Sequence, residues 1–380
     1  MKIGTKIIIM LLSLVFLTVG AGALYATTLL NYSDEAIAKT YKSLGGSEEE
    51  SDVIAATEPL TILLMGVDTD QATRGLDWEG GRSDTMILVT VNPKTKKTTM
   101  MSLTRDIMVE IAEANGESSG TVEKLNHSYS YGQAPMAVAT IEKLMNININ
   151  HYVEINMDGL VELVDAIGGI TVNNTLGFPI SIEEQEPAYT AVVPTGKQLV
   201  NGDQALVYAR MRYDDPEGDI GRQKRQREVI TAIVKKLLQL DGFTQYKKIL
   251  DAISNNMRTD VVISTKTMPS LLGYKDSLAS LSSYQLEGED QMVNGISYQI
   301  PGSEHLLEMQ NVLQTSLGQP AYTELTTNAE VLELLLGYES LVTVLDAYTG
   351  YLKESRSQLA PVNTEAEVYE PVYTEDYSGQ

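Results

Sequence analysis

Five arginines, Arg210, Arg212, Arg222, Arg225 and Arg227, fall in one short window of an acidic chain that uses few arginines elsewhere. Guanidinium groups gathered this closely suit a phosphate, because their paired N–H donors match its oxygens two at a time. They also suit a solvated basic face. Spacing argues for the phosphate. If residues 206–213 are extended, alternation places Arg210 and Arg212 on one side. In the helix expected over residues 219–240, Arg222 and Gln226 are four apart and share a face. That face continues through Val229, Ile230, Ile233 and Leu237, which must be the buried stripe. Arg222 and Gln226 therefore point along the core side at the helix N-terminal end, where free backbone N–H groups also favour an anion. Arg225 lies beside the stripe and is the weaker candidate.

A second group stands near residues 68–105. Asp68 closes one apolar run and Asp84 opens the next, so an antiparallel pairing brings the two carboxylates close together. The turn after the second run is centred between Lys94 and Thr95, and residues 84 and 105 are equidistant from that centre. Asp84 and Arg105 should then face each other at one end of a sheet, with Arg82 beside them. Two carboxylates with two arginines suit a divalent ion such as Mg²⁺, which takes one or two carboxylates and shares phosphate oxygens. Turn or cap roles for Asp68 and Asp84 are the plain alternative.

The elements that must position these groups follow from the apolar patterning. Strands are expected from Leu60, over 85–91 and over 98–103, with turn chemistry at 92–97. Helical periodicity covers 135–145 and 157–167, and Gly168 and Gly169 supply a stop. Strand candidates at 151–155 and 170–172 alternate with them, and a shorter helix is expected over 243–257. Such alternation argues for an α/β or α+β sandwich.

Residues 7–30 carry no charge and are long enough to cross a bilayer, with Lys2 and Lys6 ahead of them. This predicts a cytoplasmic tail over 1–6, an uncleaved anchor over 7–30 and an acidic spacer over 31–58. A cleaved signal peptide is the alternative. A folded domain over 59–318 follows, then an extension over 319–380, helical over 331–351 and disordered from about Ser355. The 380 residues carry a net charge of −23, which disfavours nucleic acid as a partner. The absence of cysteine removes thiol chemistry and disulfides, and the three histidines lie too far apart for zinc spacing.

The segments LLMGVDTD, GRSDTMILVTVNP, MMSLTRDIMVEI, KLNHSYSYG, HYVEINMDGLVELVDAIGGI and GKQLVNGDQALVYARMRYDDPEGDIGRQKRQREVI occur in that order. Together they resemble the LytR-CpsA-Psr family of cell-wall glycopolymer phosphotransferases over about residues 60–315. The resemblance implies an α/β/α sandwich around a mixed sheet, with a groove for a polyprenyl tail and the pyrophosphate at its mouth. It implies Mg²⁺ on Asp68 and Asp84. It implies pyrophosphate binding by Arg82, Arg105, Arg210, Arg212, Arg222 and Gln226, with Asp84 and Arg105 central to catalysis. The implied reaction moves a phosphate-linked glycan from polyprenyl pyrophosphate to a peptidoglycan hydroxyl, on a single-pass membrane protein whose catalytic domain is extracellular. A non-catalytic binder, a lipid pyrophosphate hydrolase and a transcription attenuator are the competing expectations. Thr104 departs from the proline common in the family before the Arg-Asp pair.

Overall fold

The computed structural model describes residues 41–44, 58–68, 78, 81–237, 249, 254–261, 274 and 276–335. The expected anchor over 7–30, most of the spacer and the tail beyond Leu335 lie outside these residues. Among the described residues no helix is long and apolar enough to cross a membrane.

Three strands open the fold: β1 (Leu60–Asp68), β2 (Arg82–Asn92) and β3 (Lys97–Leu103). They form an antiparallel meander, because the β2–β3 turn closes on Asn92, whose side-chain oxygen accepts from Lys94 N and Thr95 N. A hairpin follows, β4 (Met108–Ala112) and β5 (Ser118–Lys124), then helix α1 (His127–Met145), β6 (His151–Asn156) and helix α2 (Met157–Ala166). Asn156 caps α2 by accepting from Gly159 N, and Gly168 and Gly169, both at positive φ, end the turn after it. Next come β7 (Ile170–Asn174), β8 (Gly196–Val200), α3 (Gly202–Arg210) and α4 (Gly218–Leu237). The chain then supplies β9 (Met257–Thr259), β10 (Leu281–Leu286), the hairpin β11 (Glu289–Val293) and β12 (Ile296–Ile300), α5 (Ser303–Ser316) and α6 (Leu332–Leu335).

Six strands make one mixed sheet in the order β10-β3-β2-β1-β6-β9, with β6 parallel to β1 and β10 parallel to β3. Period-two alternation sorts the side chains. Leu63, Met65, Met86, Leu88, Met101 and Leu103 face one core, packed against α1 and α5. Ile87, Val89 and Met100 face the other way, where Ile62, Leu64 and Ile230 pack beside them. A further core joins α2, α3 and α4 to β7 and β8 through Val164, Tyr208, Val229 and Ile233. Helices thus flank a mixed central sheet, as the sequence led us to expect.

Two expectations are corrected. Residues 206–213 are not extended. Asn201 and Gln204 form a capping box that starts α3, the helix runs through Arg210, and only Met211 turns extended. The expected helix over 243–257 lies mostly outside the described residues; Ile249 and residues 254–256 are helical, and only its last residue, Met257, belongs instead to strand β9. Past Gly318 the chain packs against the first core, where Leu325, Ala329 and Val331 are buried. The expected helix over 331–351 is described only as far as Leu335, and α6 is helical over Leu332–Leu335.

Candidate functional site

A groove of about 460 Å³ lies on the sheet face that carries Leu64, Val153 and Ile155. Its other wall is α4, where Val229, Ile230, Ile233 and Leu237 follow one another along the helix as the stripe required. Gly66 belongs to its floor. A Cβ there would come within 3.0 Å of Thr85 Cβ, so glycine keeps the strands close and the floor open. The interior is apolar. All the charge is gathered at one end, where Asp68, Asp84, Arg105, Arg210, Arg212, Arg222 and Gln226 line the mouth with Glu186.

The mouth is built by strand ends. The β1–β2 register runs Gly66 to Thr85 but Val67 to Ser83, so Asp84 is the extra residue of a β-bulge. Bulges re-aim side chains, and this one turns Asp84 toward the groove at the sheet edge. Arg105, two residues beyond β3, meets it with Nη1 2.9 Å from Asp84 Oδ1. The opposition expected from hairpin arithmetic is therefore present. Asp68 stands in register with Arg82 at the end of β1 and lines the groove. Arg82 itself is exposed at the start of β2 and is not part of the groove wall.

Arg222 is only 8% exposed, with Nη2 2.7 Å from Asp219 Oδ1 and 3.4 Å from the Asp84 carbonyl oxygen. Its Nε is buried with no hydrogen-bond partner. Burial lowers the Arg222 pKa, and nearby Arg105 adds repulsion, while Asp219 and Asp84 oppose the shift. A buried guanidinium with an idle donor is poised for an anion. Arg105 is the reverse case. Burial works against its charge, but Asp84, Asp106 and Asp219 outweigh it and raise its pKa. Arg210 is paired with Glu186 and stacks on Tyr189, 5.2 Å from the ring centroid. Arg212 is the most open of the set and has Nε 3.8 Å from Asp219. Gln226 lines the groove, with Nε2 3.4 Å from the Ala209 carbonyl.

The arginine window divides in two. Arg225 donates from Nε to Tyr208 O at 2.9 Å, reaches Met211 O, and pairs with buried Asp215. It ties α4 to the end of α3. Arg227 reaches Ser102 and Gln285. Both are framework groups. Asp219, not singled out from the sequence, sits between Arg212 and Arg222 and also accepts from Gln223 Nε2 at 2.9 Å. Its position three residues before Arg222 in the first turn of α4 was the available signal. Glu186 was missed because nothing in its loop marks it as a partner of Arg210.

The LytR_cpsA_psr family model matches residues 26–315 of this chain. The chain belongs to the LytR-CpsA-Psr family. It is 51% identical over 345 residues to biofilm regulatory protein A of Streptococcus mutans, covering 90% of this chain and 84% of that one. It is 43% identical over 280 residues to the polyisoprenyl-teichoic acid–peptidoglycan teichoic acid transferase TagU of Enterococcus faecalis, covering 73% of this chain and 86% of that one. Among solved structures, protein gbs0355 of Streptococcus agalactiae superposes with a TM-score of 0.70 at 51% identity, covering 76% of this chain and 98% of that one. The mixed sheet with flanking helices is thus a LytR-CpsA-Psr fold. Thr104 donates to Leu286 O at 3.0 Å and lies 3.4 Å from Gln223 Nε2. The hydroxyl links the Arg105 turn to β10 and α4.

Proposed function

We propose that this protein transfers a phosphate-linked anionic glycopolymer from a polyprenyl pyrophosphate to a peptidoglycan hydroxyl, forming a phosphodiester. One arrangement carries the proposal: among the described residues, an apolar groove whose charged end holds Arg105, Arg210, Arg212 and Arg222 with Asp68, Asp84 and Glu186. A lipid pyrophosphate has the same division, an apolar chain ending in concentrated negative charge. The Enterococcus faecalis relative is named for the corresponding transfer of teichoic acid.

In this mechanism the groove residues hold the tail, and the arginines bind the pyrophosphate oxygens and stabilise charge as it moves toward the leaving group. An acceptor hydroxyl oxygen forms a bond to the glycan-side phosphorus while the anhydride bond to polyprenyl phosphate breaks. Polyprenyl phosphate departs with the bonding electrons, and the hydroxyl proton is lost to solvent water. Positioning and charge carry most of such a step, and little covalent work falls to the protein.

Among the described residues no three acidic or histidine side chains converge as a metal cage. Mg²⁺ does not need one, since it commonly binds one or two carboxylates together with substrate phosphates. Asp68 and Asp84, two oxygen donors at one sheet edge, fit that demand and are the residues that would hold it. Bound there, the ion would supply further positive charge to the pyrophosphate. The proposal also places residues 7–30 in the membrane, with the domain that begins near residue 59 outside the cell.

The test is transfer by the full chain in detergent, from a short lipid-pyrophosphate glycan to peptidoglycan oligomers, read by mass spectrometry with and without Mg²⁺. A joined product that needs Mg²⁺ and disappears in Arg105→Ala is expected. Free glycan phosphate without conjugate would instead make the protein a hydrolase. Tight lipid binding with no bond broken would make it a carrier.

A further inference from the structure

The sheet edge at Arg105 has two sides. The groove opens on one. On the other stands the first turn of α1, joined to the edge by direct contacts. Asn126 N donates to Arg105 O at 3.0 Å, and Ser130 Oγ reaches Gly81 O, just before Arg82, at 3.3 Å. Side chains continue the link outward. Arg105 Nε lies 3.6 Å from Asp106 Oδ2, and Asp106 Oδ1 accepts from Lys124 Nζ at 2.8 Å.

This side carries an aromatic surface. Tyr131 is 55% exposed, and the His127 ring meets it edge-on at 6.2 Å. Glu123 engages His127 Nδ1 at 3.2 Å, so Nε2 is the ring nitrogen turned to other partners. Lys124 Nζ lies 5.9 Å from the centre of the buried Tyr298 ring. A lone exposed tyrosine is ordinary. An exposed tyrosine beside an imidazole that a carboxylate holds in place is different. Sugars offer an apolar C–H face to stack and a rim of hydroxyls to bond, and this group supplies both partners.

The direction of attack selects which sugar belongs here. In phosphoryl transfer the entering and leaving oxygens lie roughly in line through phosphorus. If the polyprenyl phosphate leaves toward the groove, the nucleophile arrives from across the sheet edge. We propose that Tyr131, His127 and Lys124 form the acceptor subsite, where an oligosaccharide of N-acetylated amino sugars lies with one ring on Tyr131 and its free hydroxyl directed at the edge held by Arg105 and Asp84. This rests on the transfer function proposed above. The backbone supports the placement. Gln133, immediately beyond Gly132, has φ 54° and ψ −148°, which breaks α1 and sets its first turn apart from the rest. Lys42 Nζ donates to Gln133 Oε1 at 2.6 Å at this break.

The experiment compares the full-length protein with Tyr131→Ala and Tyr131→Trp in two assays. The first measures transfer while donor and acceptor concentrations are varied separately. The second measures binding of muramyl oligosaccharides without donor, by isothermal titration. Tyr131→Ala is expected to raise the acceptor KM and the oligosaccharide Kd about tenfold, a change of about 1.4 kcal/mol, with the donor KM held. Tyr131→Trp is expected to restore both. An unchanged acceptor KM, or a loss confined to the donor KM, overturns the subsite while leaving transfer intact. If the wild type transfers nothing, the transfer function fails and titration alone decides. Oligosaccharide binding that Tyr131→Ala weakens then upholds the subsite, and no binding, or equal binding, removes it.

Discussion

Arg222 and Arg225 are three residues apart on one helix and nearly equally buried, yet their surroundings give them different work. Every guanidinium nitrogen of Arg225 has a partner among Tyr208 O, Met211 O and Asp215. Removing it strands a buried carboxylate and two carbonyls. Arg225→Ala should therefore cost about 3–5 kcal/mol of stability, the range for breaking a buried pair, and chemical denaturation would measure it. Arg222 keeps an idle Nε at the groove mouth. Arg222→Ala should lose donor binding and transfer at a clearly smaller stability cost than Arg225→Ala, because Asp219 keeps Arg212 and Gln223 as partners. Equal losses of stability in the two variants would sink the division. In the sequence the pair could be ranked but not fully separated. Helical periodicity put Arg222 on the core stripe and Arg225 beside it, whereas the Asp215 partner lies in a turn whose path no periodicity describes.

Elements were legible where their pattern was strong. The central strands β1 and β2 announce themselves as apolar runs, and the register of the β2–β3 hairpin followed from its turn, which is why Asp84 and Arg105 could be set face to face. The edges were not legible. β9 is three residues long, and β10, Leu281–Leu286, is rich in serine and half exposed, as an edge strand can afford to be. The α3 segment misled because Leu206, Val207 and Tyr208 suit a strand, while the deciding signal, the Asn201–Gln204 capping box, lies upstream. The start of α3 also fixes how closely it packs on α2. A Cβ on Gly202 would sit 2.3 Å from the Val161 carbonyl oxygen, and backbone cannot move aside as a flexible side chain can. Gly202→Ala should thus push α3 from α2 and cost about 1–3 kcal/mol. Because Arg210 ends that helix, donor KM should rise with it. A variant of unchanged melting temperature and donor KM would show that the helix start carries no such constraint.

At the scale of the molecule the sheet acts as a partition. One face is sealed under α1 and α5 into a continuous core, while the other is left partly open between β1, β6 and α4. Along α4 the lining residues from Arg222 to Leu237 span about 22 Å at 1.5 Å per residue. A pyrophosphate needs only the mouth, so the remaining length serves a chain. In a protein of net charge −23, the four arginines of the mouth, interleaved with Asp68, Asp84, Glu186 and Asp219, must bind an anion at short range. These two halves of the groove can be tested apart at Val234, a half-buried residue on its wall well along α4 from Arg222. Val234→Glu places a carboxylate where a lipid tail would lie, and an unpaired charge is costly against an apolar ligand. Affinity for a long-chain polyprenyl pyrophosphate should fall about tenfold or more, while affinity for a water-soluble short-chain analogue held at the mouth should stay within about twofold. Paired titrations of the two ligands, with thermal melting to confirm the fold, would read this directly. If both ligands weaken together, the groove is not a tail site but an extension of the phosphate site. If neither does, the tail lies elsewhere, and the apolar stripe of α4 is packing alone.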